Sequence, residues 1–164
     1  MKPVVFLDID GVLCIKGCRP GTFAPECVTA LNWLTDATAA QIVVSSTWRH
    51  GTGWRERIEG KGITAKIIGR TPDLNDRNPG TVIWTSVTRG TEIKTWLHRH
   101  APRPFVILDD DTDMDDLRDY LVQTSFDSGL TRPLAELAAR VVMRSERLTC
   151  AHRGSPAARD LRRP

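Results

Sequence analysis

A chain of 164 residues with 40% hydrophobic content and five tryptophans is long enough for one domain with a full core. No apolar run approaches the ~20 residues of a membrane span, and the opening MKPVVFLDIDG is interrupted by acids after too short an apolar stretch for a secretory signal, so the expected setting is the cytoplasm. The net charge of +3 sits in residues 145–164, where Arg147, Arg153, Arg159, Arg162 and Arg163 face only Glu146 and Asp160; this tail reads as a solvated terminus, with nucleic-acid contact as its alternative role.

A β-branched run over Pro3 to Leu7 reads as the first strand, followed by the Gly- and Pro-punctuated loop GCRPGTFAP. A helix is expected from Pro25 to Thr38, with Val28, Leu31, Trp33, Leu34 and Ala37 on one face and Pro25 in its first turn. QIVVSS, from Gln41, is the second strand; WRERIEG is a short helix ending at a glycine; ITAKIIG, from Ile63, is the third strand. Residues 70–88 are irregular, with Pro72, Asn78, Pro79 and Gly80 as turn formers, and TVIWTSV within them suggests a hairpin or flap. A helix from Glu92 to His100, a strand PFVILD, a strand DYLVQT from Asp119 and a helix from Pro133 to Met143 complete the domain, taken as residues 1–144 with the basic tail beyond. Strands alternating with helices imply an α/β fold: a mostly parallel five-stranded sheet with helices on both faces.

Two acidic pairs stand at the ends of apolar strands: Asp8 and Asp10 in VVFLDIDGVL, and Asp109 and Asp110 in FVILDDDTD. Ligands of parallel sheets bind beyond the carboxyl ends of the strands, so both pairs are expected in one crevice. Crowded carboxylates repel, and a hard divalent cation with a preference for oxygen relieves the repulsion, which points to Mg²⁺. Beside such an ion, Asp8 could attack phosphorus and Asp10 could protonate the leaving oxygen and then activate water. Ser45, first polar residue after the second strand, and the following Ser46 could bind a phosphoryl group, with Arg49 as a bidentate phosphate contact; helix capping is the competing role for Ser46. Arg89, in the loop before a helix, is favoured over Lys94 as the fixed cation of the crevice. Asp109 is the expected direct metal ligand and Asp110 a ligand through water or a support for one, whereas Asp111, Asp113, Asp115 and Asp116 read as an acidic helix start. The cysteines, Cys14, Cys18, Cys27 and Cys150, lack zinc-site spacing and read as free thiols.

The order DIDGV, VVSS, RG opening a helix and VILDD resembles the haloacid dehalogenase (HAD) phosphohydrolase superfamily over about residues 3–124. The SSTWR, RGTEIKTWL and FVILDDD stretches are similar to the small HAD domains fused to RNA-repair proteins and to polynucleotide 3′-phosphatases. The resemblance implies a Rossmann-like three-layer sandwich, Asp8 as nucleophile, Asp10 as acid/base, and Mg²⁺ held by the Asp8 and Asp109 carboxylates and the Asp10 carbonyl. It also implies that Ser45 binds the phosphoryl group and that Arg89 stands where the superfamily has lysine. No interval is long enough for a folded cap, so the site is expected to be open and suited to a large substrate such as a polynucleotide end. The alternatives are a phosphatase of nucleotides or small metabolites, and a receiver-like module that binds phosphate and metal without turnover. A metal-dependent nuclease with a DxD pair would want a further Glu at a strand end, and none is found.

Overall fold

The computed structural model describes residues 1–75, 87–100 and 103–153, with side chains as far as Ser145. Five strands, β1 (Val4–Leu7), β2 (Gln41–Val44), β3 (Ile67–Arg70), β4 (Phe105–Asp109) and β5 (Leu121–Gln123), form one sheet in the order β3-β2-β1-β4-β5. Every neighbouring pair is parallel. The helices are α1 (Pro25–Thr38), α2 (Trp54–Ile58), α3 (Arg89–Arg99) and α4 (Arg132–Arg153).

Alternation along the strands divides the core in two. Val5, Leu7, Ile42, Val44, Val106 and Leu108 pack on one face with Leu31 and Leu34 of α1 and Ala135, Ala138 and Val142 of α4. Val4, Phe6, Val43, Phe105 and Ile107 pack on the other with Ile93 and Trp96 of α3. Helices on both faces explain why β1 and β4 are apolar at nearly every position and buried throughout. The ring of Phe6 meets Trp96 and Phe105 edge-on, at centroid distances of 5.3 and 5.8 Å.

Several boundaries differ from those expected. The third strand starts at Ile67, not Ile63, because Asn32 of α1 takes this segment away from the sheet: its side chain accepts from the Thr64 N–H (3.0 Å) and donates to the Gly62 carbonyl (2.8 Å). Helix α3 starts at Arg89, three residues before Glu92, since the Thr88 hydroxyl caps it by accepting from the Thr91 N–H (3.2 Å). Helix α4 runs on to Arg153, across the boundary expected at residue 144; the sequence offers no Gly or Pro to stop it before Gly154. The expected flap falls largely on residues 76–86 and the end of the basic tail on 154–164, both outside the described residues.

Candidate active site

In this strand order the chain leaves β1 in one direction for β2 and β3, and the other side of β1 is filled by β4. The crevice of a parallel sheet lies at such a reversal, here between the carboxyl ends of β1 and β4. Leu7 is in register with Leu108, so Asp8 and Asp109 emerge side by side, and the Asp8 N–H donates to the Leu108 carbonyl (3.0 Å). One carboxylate oxygen from each of Asp8, Asp109 and Asp110 lies within 4.8 Å of the others.

Asp8 and Asp109 are 5% and 1% exposed, and the cost of ionising them there is visible. Burial raises Asp109 to about 7; Arg89 opposes this and the Asp8 charge adds to it. Asp8 is raised for the same first reason, with Arg89 again opposing. Asp109 Oδ1 accepts from the Asp111 N–H (3.0 Å), but Oδ2 is buried without a hydrogen-bond partner among the described residues. Three carboxylates with an orphaned buried oxygen, and no thiolate or imidazole among them, fit a hard divalent cation. Gly11 lets Asp110 close the trio: its φ is +73°, and a Cβ there would lie 2.3 Å from Asp110 Cγ.

Asp10 stands apart from these three. It is exposed, and its Oδ2 accepts from Trp48 Nε1 (2.9 Å). The loop that carries it is pinned by bonds from the Gly11 N–H to the Cys14 carbonyl (2.8 Å) and from the Thr124 hydroxyl to the Gly11 carbonyl (2.7 Å).

Arg89 supplies the cation. Its guanidinium donates to Asp8 Oδ1 (2.8 Å) and to the Ser45 carbonyl (2.5 Å), and lies 3.8 Å from Asp109 Oδ2. Burial works against its charge, but Asp109 and Asp8 overcome it and raise Arg89 above the usual arginine value. The first turn of α3 is fixed by Asp113, which accepts from the Arg89 N–H at Oδ2 (2.9 Å) and from the Gly90 N–H at its carbonyl (3.1 Å).

A family model described as the HAD domain in Swiss Army Knife RNA repair proteins matches residues 4–135. The chain belongs to that family. No curated protein and no solved structure gives a match. Membership agrees with the parallel α/β sandwich and points to a phosphatase-type hydrolase.

Within this HAD domain the remaining residues fall into place unevenly. The Ser45 N–H extends the β2 ladder by donating to the Leu7 carbonyl (2.9 Å), and its hydroxyl is fully buried without a partner among the described residues. Ser46 accepts from the Trp48 N–H (3.3 Å), the capping role considered for it, and its nearby hydroxyl favours the ionised form of Asp8. Arg49 requires a correction. Instead of reaching toward a phosphate it is 3% exposed and pairs with Glu92 Oε2 (2.5 Å), while donating to the Ser45 (2.5 Å) and Ser46 (3.0 Å) carbonyls. Its charge is spent inside the fold, where the Glu92 carboxylate and main-chain carbonyls offset the cost of burying a guanidinium. Lys94 points the other way from Asp8, to Asp116 Oδ1 (2.5 Å) and Asp115 Oδ2 (3.5 Å). The acids after Asp110 are likewise not simply the start of their own helix: Asp113 and Asp115 serve the amino end of α3, Asp115 Oδ2 accepting from the Thr88 (2.7 Å) and Thr91 (3.0 Å) hydroxyls.

Three residues escaped the sequence reading. Glu92 anchors Arg49 and accepts from the Leu74 N–H (3.1 Å); a glutamate in the first turn of a helix carries no signal that it is buried. Trp48 reads in the sequence only as one of five tryptophans, yet its indole N–H donates to Asp10. Gly90 was passed over as a helix opener, but a Cβ there would meet the Met114 carbonyl at 2.5 Å.

Proposed function

We propose that the protein is a Mg²⁺-dependent phosphomonoesterase that works through an aspartyl-phosphate on Asp8. The observation that carries this reading is the juxtaposition of Asp8 with Asp109, Asp110 and Arg89 at the β1–β4 crevice. Asp8, Asp109 and Asp110 would hold the ion, which when bound offsets phosphate charge and keeps the carboxylates ionised.

An Asp8 oxygen attacks phosphorus while the ester oxygen departs with a proton from Asp10. Asp10 then takes a proton from water, and the resulting nucleophile attacks the same phosphorus, releasing inorganic phosphate and restoring the Asp8 carboxylate. Trp48 Nε1 holds the Asp10 carboxylate at its entrance position for both proton transfers. Arg89 offsets the negative charge of the transferring group, and its raised pKa keeps it cationic throughout. The Ser45 hydroxyl, buried and unpaired, is a donor available to a phosphoryl oxygen after a small rotation.

The substrate we favour is the phosphorylated end of a polynucleotide. The family's description as a domain of RNA repair proteins supports it, as does the basic tail. The test is phosphate release from an aryl phosphate, nucleotides, and 3′- and 5′-phosphorylated DNA and RNA oligonucleotides, with Mg²⁺ or with chelator. Release that needs metal and is lost in Asp8→Asn is the expected result. Asp10→Asn is expected to slow release by about 10²–10⁴-fold. Absence of release from every substrate would leave a receiver-like binding module as the better reading.

A further inference from the structure

Next to the proposed acid lies an open pocket of about 530 Å³, lined by Gly21, Thr47, Trp48, His50, Arg57 and Lys61. Trp48 is common to both: its Nε1 bonds to Asp10, and its ring forms part of the pocket lining. A group protonated by Asp10 departs on the Asp10 side of the phosphorus, and this pocket adjoins Asp10 through Trp48.

Its chemistry is specific. Trp48 is half-buried and leans on Phe23, with ring centroids 5.7 Å apart, which holds an aromatic face in place. Lys61 lies 5.5 Å over the Phe23 ring and donates to the Gly21 carbonyl. Arg57 donates to the His50 (2.5 Å) and Trp48 (3.0 Å) carbonyls. These bonds fix both cations without neutralising them, and among the described residues no carboxylate lines the pocket. His50, by contrast, has Asp73 beside it at 3.3 Å. A fixed aromatic face with two uncompensated cations suits a base that stacks and a phosphodiester that is anionic, the pairing by which single strands are held.

We infer that this pocket is the leaving-group subsite, and that it takes the terminal nucleotide of a strand, with its base against Trp48 and the next phosphodiester at Lys61 and Arg57. The inference rests on the phosphomonoesterase reading of the neighbouring site.

The experiment compares kcat/KM for phenyl phosphate, for ribo- and deoxyribo-dinucleotides bearing a terminal monophosphate, and for a phosphoserine peptide, in wild type and Lys61→Glu. The ratio of dinucleotide to phenyl phosphate is expected to fall about tenfold in the variant, with a shallower salt dependence for the dinucleotide. A ratio unchanged by the substitution, or a wild-type preference for the peptide, overturns the inference. If wild type releases nothing from phenyl phosphate or the dinucleotides, the phosphatase reading is what has failed. The pocket is then judged by calorimetric titration of the same dinucleotides into both proteins: tighter binding by wild type supports the subsite, and equal or absent binding overturns it.

Discussion

Asp109 is a carboxylate that its own surroundings hold against ionisation. With a folded pKa of about 7 against 3.8 for the unconstrained group, the folded state keeps a proton that the unfolded state has released. Its contribution to stability is therefore complete below the unfolded value and is lost as pH rises through the folded one. The metal-free protein is expected to lose thermal stability between about pH 4 and pH 7, and Asp109→Asn to flatten that decline. Mg²⁺ should raise the Tm of wild type at the upper end of the range and leave the variant unmoved; identical pH profiles for the two proteins would remove Asp109 as the cause. Gly11 offers a second test. Gly11→Ala combines a left-handed backbone cost of about 1–2 kcal/mol with a collision against Asp110, and a Mg²⁺ titration should show weaker binding. Arg89→Ala is expected to lower phosphate release by about 10²–10³-fold, and Lys94→Ala, whose ammonium faces Asp116, to have little effect. The acids at strand ends were legible because alternation and burial mark where a strand stops and a polar group becomes worth its desolvation. Arg49 misled for the opposite reason: an arginine beside a serine pair looks the same in a sequence whether its guanidinium faces a ligand or a buried glutamate.

At the level of elements, α3 shows how a helix terminus is placed by contacts from far along the chain. Its amino end is received by the Asp113–Met114 backbone and by the Asp113 and Asp115 side chains, and a second tie runs from Glu92 to Arg49 and on to the carbonyls of Ser45 and Ser46. Gly90→Ala should raise intrinsic helix propensity by ~1 kcal/mol yet destabilise the protein, since the added methyl meets Met114; a higher Tm would refute this packing. Glu92→Ala leaves a buried guanidinium unpaired and is expected to cost about 3–5 kcal/mol in chemical denaturation. Glu92→Gln should cost less because an amide oxygen can still accept from Arg49. Period and capping rules located α1 fully and the central strands nearly so. They placed the start of α3 late because its cap is shared between Thr88 and the loop after β4, a partnership across sequence that local spacing cannot express.

At the scale of the whole molecule, the described strands form one sheet whose middle strand comes first in the chain. Val4 pairs with Gln41 on one side and with Phe105 on the other, so the carboxylate trio is assembled from segments about a hundred positions apart. Sequence spacing could say that Asp8 and Asp109 both end strands; only the strand order says that those strands touch. That order also sets a timetable for biosynthesis. A chain emerging amino end first can pair β1, β2 and β3 as soon as they are made, but one side of β1 then stays open until β4 follows. During that interval the ribosome carries an unpaired, wholly apolar strand edge of the kind that recruits chaperones or neighbouring chains. A product terminated before Phe105 is thus an exposed half-sheet without Asp109 and Asp110, and the cell meets it as a sticky intermediate instead of a smaller folded domain.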